Sequence, residues 1–136
     1  MKFLKIIFID RERISLECQI LSKGYWPGIE AMAQSCGLHL RYVNQFNKHV
    51  FLAKLGKVEL PNKHLLGKFL VKANLISITK SSAKYQGFLC DINNSNKYVT
   101  GEFLLTSTKF SEDFKYQLIV PYFKGLFECL MNTKDY

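Results

Sequence analysis

The stretch "GYWPGIEAMAQ", residues 24–34, decides how this chain is read. It holds the only tryptophan, Trp26, one of three prolines, Pro27, and a carboxylate, Glu30, set among apolar residues. Proline has a fixed φ and no N–H, so it suits the first turn of a helix, where amides lack intrahelical partners anyway. From Gly28 to about Val43, Ile29, Met32, Ala33, Cys36 and Leu40 follow one another at steps of three and four. That spacing predicts a helix with one buried side, carrying Glu30 in its first turn. Gly37 in the interior costs about 1 kcal/mol relative to alanine, which suggests close packing there against a sheet.

Outward from this helix the pattern is that of strands. "FLKIIFI" and "RISLECQI" precede it, with "DRER" between them, and predict a hairpin. After it come "HVFLAKLGKVEL", "KFLVKANLISIT", "AKYQGFLCDI" and "KYVTGEFLLTST", separated by the turn signals "PNKHLLG", "KSSA" and "NNSN". Short connections favour antiparallel pairing. Two strands, one substantial helix and four long strands predict an α+β chain with the sheet curled round the helix. Residues 1–136 are expected to form a single domain, in which the segment 111–136 is ambiguous. Pro121 argues there against one continuous helix and leaves a strand plus a short helix, or two short helices.

Composition narrows the partners. Of 136 residues, 48% are hydrophobic, enough for a real core, and the formal charge is +8. A basic surface suits an acidic partner, but the lysines are scattered and no Arg-rich run or RNA-binding signature is present, so nucleic acid is not expected. The four cysteines (Cys18, Cys36, Cys90, Cys129) form no C-x-x-C pair and lie in apolar stretches. Buried thiols in a reducing compartment are expected, with no metal. "MKFLKIIFIDRERIS" is broken by Lys5 and has no small-residue cleavage site, so it reads as a strand. No apolar run reaches the length of a membrane span. A cytoplasmic protein is expected.

The order of elements and the string "PGIEAMAQ" together resemble the hotdog-fold 3-hydroxyacyl-acyl carrier protein dehydratases. Their central helix follows a Pro-Gly turn and carries Glu with Gln four positions on, here Pro27, Gly28, Glu30, Ala33 and Gln34. The string "W-x-G-I-E-x-M-A-Q" of the aryl-polyene branch is similar to Trp26, Gly28, Ile29, Glu30, Met32, Ala33 and Gln34. "FLAKLGKVEL" and "YVTGEFLLT" resemble later strands of that branch. The likeness in order covers roughly residues 3–108, and the specific motif about nine positions. It implies a hotdog fold, one long central helix wrapped by a curved antiparallel sheet. It implies also a cytoplasmic lyase of fatty acid or polyene synthesis that needs no cofactor. Its partners would be an acyl carrier protein bearing a phosphopantetheine thioester, and a second hotdog subunit in a homodimer or heterodimer.

Dehydration requires a base for the proton alpha to the carbonyl, an acid for the departing hydroxyl and donors for the enolate oxygen. The resemblance assigns the acid–base role to Glu30, with Gln34 in support one turn on. Backbone amides at Gly28 and Ile29, at a helix start, are candidate oxyanion donors. Trp26 is a candidate for acyl-chain contact, or else an aromatic plug against the sheet. The family's loop "G-H-F-P-G" becomes "GYWPG" here; on a direct alignment Tyr25 stands where the catalytic histidine would be and is a candidate proton donor, whereas aligning Trp26 with the tryptophan of the aryl-polyene branch leaves the intervening loop shortened. His39 falls nearly opposite Glu30 round the helix, which suits a core or surface histidine. His49 and His64 are candidates for reaching the site across a dimer interface. A hotdog thioesterase, which also places a carboxylate on this helix, and a non-catalytic subunit paired with a complete dehydratase are the alternatives.

Overall fold

The computed structural model describes residues 1–59, 64–93, 97–110 and 116–132, with side chains at all of these but 97–98 and 116–119. The predicted turns "PNKHLLG" and "NNSN" fall mostly outside the described residues. The chain forms β1 (Lys2–Ile9), β2 (Arg13–Ile20), α1 (Trp26–Val43), β3 (Lys48–Glu59), β4 (Gly67–Ile78), β5 (Ser82–Asp91), β6 (Lys97–Lys109) and α2 (Tyr116–Met131). The six strands make one sheet in the order β1-β2-β4-β5-β6-β3, every neighbour antiparallel. Helix α1 leaves β2 near one side, touches all six strands, and hands the chain to β3 at the far edge. This is the wrapped-helix architecture that the resemblance implies.

Alternation builds the inner face. In β2, Ile14, Leu16, Cys18 and Ile20 are buried while Arg13, Ser15, Glu17 and Gln19 turn outward. Phe69, Val71 and Ala73 of β4, Tyr85 and Leu89 of β5, and Val99, Phe103 and Leu105 of β6 continue the same surface. Against it α1 sets Ile29, Met32, Cys36 and Leu40, four of the five residues its spacing nominates; Ala33 is only half-buried. Register shifts between β1 and β2 and between β3 and β6 fall at both edges of the sheet, where extra residues bend strands.

Midway along the helix, close contact with the sheet is made possible by Gly87 of the sheet rather than by Gly37 of the helix. A Cβ at Gly87 of β5 would stand 2.9 Å from Phe103 Cε2 and 3.1 Å from Met32 Cβ, so only glycine lets α1 come this near. A Cβ at Gly37 would meet Leu105 at an ordinary 3.9 Å and the Arg41 guanidinium at 3.0 Å. Gly37 thus makes room for Arg41.

The C-terminal segment corrects the reading of Pro121. Residues 116–131 form one helix with Pro121 inside it. Packing outweighs the missing amide: Val120 and Leu130 are buried, Phe127 stacks on Tyr42 at 5.5 Å and meets Phe46 edge-on at 5.5 Å, and α2 also touches β1. Cys18, Cys36 and Cys90 are buried as expected, and burial pushes the Cys18 thiol up to about 11. Cys129 departs from the expectation by being exposed. Among the described residues no helix is long and apolar enough to cross a membrane, and no group of three or more His, Cys, Asp or Glu could hold a metal ion.

Candidate functional site

Helix α1 starts two residues earlier than its apolar spacing indicates. Tyr25 is the N-cap residue, with φ −94° and ψ −25° and no side-chain cap; Trp26 and Pro27 are the first helical residues. Glu30 therefore sits at the fifth helical position, in the second turn, and no acidic residue lies in the first. That corrects the placement of Glu30. A capping charge has to reach the first amides, so capping does not explain this carboxylate.

What Glu30 does contact is Gln34. The Gln34 Nε2–H donates to Glu30 Oε1 at 2.8 Å, a charge-assisted bond between residues one turn apart. It fixes the carboxylate and engages one of its oxygens. Trp26, Glu30 and Gln34 are spaced i, i+4, i+8, and so share one stripe of α1. It is the stripe turned away from the sheet: Trp26 is 62% exposed, Glu30 half-buried and Gln34 exposed. Trp26 is consequently not a plug against the sheet. Its ring stays off the face of α1 that Met32 and Cys36 bury.

Gly28 and Ile29 are buried beneath this stripe. A Cβ at Gly28 would come 3.3 Å from Leu89 Cδ2, so this glycine seats the helix start on β5. The Gly28 amide belongs to the helix-start group with no acceptor inside the helix. The Ile29 amide donates to the Tyr25 carbonyl at a long 3.4 Å. Tyr25 is 45% exposed, and its ring lies 5.9 Å from that of His64, at a tilt of 31°. His64 comes from the segment entering β4. Sequence spacing gives no signal for this neighbour; it follows from the pairing of Ile20 with Gly67, which brings the end of β2 beside the start of β4. His64 also lines a cleft of about 300 Å³ together with Leu66, Lys68, Asp91 and Ile92.

The other two histidines lie elsewhere. His39 is a core residue with no exposed surface. Its Nε2–H donates to the Asp10 carbonyl at 2.8 Å, because a carbonyl can only accept; its Nδ1 therefore accepts from the Tyr85 hydroxyl at 2.6 Å. Burial lowers its proton affinity, opposed by the Asp10 carbonyl and carboxylate. His49, on β3, packs against Phe51 and Phe110 at 4.9 and 5.0 Å, near the far end of α1. There the Arg41 guanidinium lies 3.8 Å over the Phe123 ring and donates to the Val50 carbonyl at 3.3 Å, and burial lowers it to about 10.

No protein-family model matches this sequence, and no curated protein does. Solved structures do match. A thioesterase family protein from Silicibacter pomeroyi superposes with a TM-score of 0.66 at 11% identity, over 78% of this chain and 85% of that one. AziG of S. sahachiroi gives 0.63 at 9%, over 78% and 91%. A thioesterase from Haemophilus influenzae gives 0.62 at 13%, over 79% of each. Identities this low speak for the fold alone. With one central helix wrapped by a six-stranded antiparallel sheet, as in these structures, the chain has the hotdog fold.

Proposed function

We propose that this protein hydrolyses an acyl thioester at the N-terminal half of α1, with Glu30 as general base and Gln34 as the residue that orients it. The observation that carries this reading is the 2.8 Å bond between the two on the open stripe of a hotdog central helix. Held by Gln34, the Glu30 carboxylate takes a proton from water as the water oxygen attacks the thioester carbon. The Gly28 amide, at the positive end of the helix dipole, is the candidate donor to the oxyanion. Trp26, on the same stripe, offers an apolar surface to the acyl or pantetheine chain.

Hydrolysis is preferred to dehydration for two reasons. The loop before the helix reads "GYWPG" and holds no histidine, the residue that the dehydratase family uses there. In addition, solved structures of this fold that superpose on the chain include proteins described as thioesterases. Elimination of water from a 3-hydroxyacyl thioester, as in fatty acid or polyene synthesis, is the second reading, favoured by the likeness of "PGIEAMAQ" to the dehydratase helix. An acidic acyl carrier protein with a phosphopantetheine thioester suits the +8 charge of the chain.

The open stripe also calls for a second subunit. Edge strand β3 runs for 12 residues and exposes Phe51, Leu52 and Leu55. Long apolar edges are usually covered, here by a second copy or another hotdog chain. The test is incubation of the purified protein with acyl and 3-hydroxyacyl carrier protein. Thiol release without enoyl product supports hydrolysis, and enoyl product supports dehydration. Inactivity of both wild type and E30Q, together with co-purification of a second hotdog chain, would leave the non-catalytic subunit.

A further inference from the structure

Hydrolysis of a thioester needs two proton transfers. Glu30 accounts for the one taken from water. The other goes to the departing sulfur, and a separate acid on the leaving-group side spares the protonated Glu30 from having to reach it. We propose that His64 is the acid that protonates the leaving sulfur, presented at the helix start by Tyr25; this rests on the thioester reading of Glu30.

The chain has three histidines, and location separates them. Both ring nitrogens of His39 are engaged inside the core, by the Asp10 carbonyl and the Tyr85 hydroxyl. His49 is packed between Phe51 and Phe110 toward the Arg41 end of α1. His64 is the exposed one at the Glu30 end. Its ring packs 5.9 Å from that of Tyr25, the N-cap of the helix that carries Glu30. Tyr25 and Glu30 are five positions apart, about 7.5 Å along the helix axis, so the His64 ring meets α1 about one and a half turns before Glu30. The 300 Å³ cleft bordered by His64, Leu66 and Lys68 adjoins the imidazole and is where we place the thiol half of the substrate.

Water's oxygen bonds to the carbonyl carbon while its proton passes to Glu30. The oxyanion collapses, the C–S bond breaks, and its electron pair stays on sulfur. The His64 imidazolium gives its proton to that sulfur. The products are a carboxylic acid and a thiol, and the proton on Glu30 returns through water to His64.

Leaving-group chemistry tests this without depending on activity alone. H64Q is measured beside wild type on two thioesters of the same acyl group, one of an alkyl thiol and one of thiophenol. An aryl thiolate leaves without a proton, so it bypasses a missing acid. Loss of a positioned acid costs on the order of 100-fold. We expect about that loss in kcat on the alkyl ester and less than about threefold on the aryl ester. Equal losses on both esters, or no loss on either, would overturn the role of His64. His64 is exposed, so unfolding of the variant is not expected, and a circular dichroism spectrum checks it. Wild type inactive on both esters would instead overturn the hydrolytic reading, and this inference with it.

Discussion

The two halves of α1 treat the stripe turned away from the sheet in opposite ways. In the N-terminal half it holds exposed Trp26 and Gln34 and half-buried Glu30, with Gln34 hydrogen-bonded to Glu30. In the C-terminal half it holds Gly37 and Arg41, and α2 lies over it. Phe123 stacks on the Arg41 guanidinium and Phe127 on Tyr42. Both halves share one inner face, packed on the same sheet by Met32, Cys36 and Leu40. The difference between them is therefore outside the core. One half is left open on its outer side, and the other fastens the C-terminal helix. Each side chain of the open half is thus expected to affect rate with little effect on stability, and each of the covered half the reverse.

The largest expected effect is at Glu30. E30Q keeps the shape and the contact with Gln34 but removes the base, and should lower kcat on a thioester by 10²–10⁴-fold, by the usual worth of a general base, with an unchanged melting temperature. A fall of less than about threefold would break the assignment of the open half. Next comes Phe127. F127A removes a ring that bridges Tyr42 and Phe46 and should cost about 2–3 kcal/mol of stability, read by urea denaturation, with kcat retained in the folded fraction. G87A bears on the face the halves share. Its methyl group would press on Phe103 and Met32, at a cost of about 1–3 kcal/mol, and a neutral result would show that the helix can shift. Q34A, which frees the Glu30 carboxylate to turn, should lower kcat about tenfold, by analogy with the ~1.4 kcal/mol worth of one hydrogen bond to a charged group.

The smallest expected effect is a pH dependence of stability from His39. Burial holds its proton affinity below the ordinary value of 6.5. The unfolded chain therefore binds a proton that the folded chain refuses. The contribution to stability is complete above that value and is lost as pH falls through it toward the lower folded value. The urea midpoint should drop between about pH 7 and pH 5. A midpoint that rises over that window would contradict a neutral His39 between Asp10 and Tyr85.

How much of this was legible in the sequence follows from how far apart the causes lie along the chain. The hotdog architecture came from the order of elements and the helix string, and β2 alternates so regularly that its inner residues follow from the pattern alone. Glu30 and Gln34 were legible as an i, i+4 pair. The helix start was not, because apolar periodicity begins at Ile29 while the fold begins the helix at Trp26; that moved Glu30 out of the first turn. Pro121 misled because local propensity speaks against a proline inside a helix, whereas Phe123, Phe127 and Leu130 pack regardless. Gly37 reads from sequence as the close contact with the sheet, but the tight contact belongs to Gly87, fifty positions away in the chain. His64 beside Tyr25 depends on the β2–β4 register, which no short-range signal encodes.

The most direct test is a crossed measurement on E30Q and F127A, taking both thiol release from an acyl thioester and the melting temperature for each. The account predicts that E30Q loses at least 100-fold in rate at the wild-type melting temperature, the low end of a general base's worth. It predicts that F127A melts several degrees lower while its folded fraction keeps the wild-type rate. E30Q with the wild-type rate, or rates that simply follow stability in both variants, would contradict it.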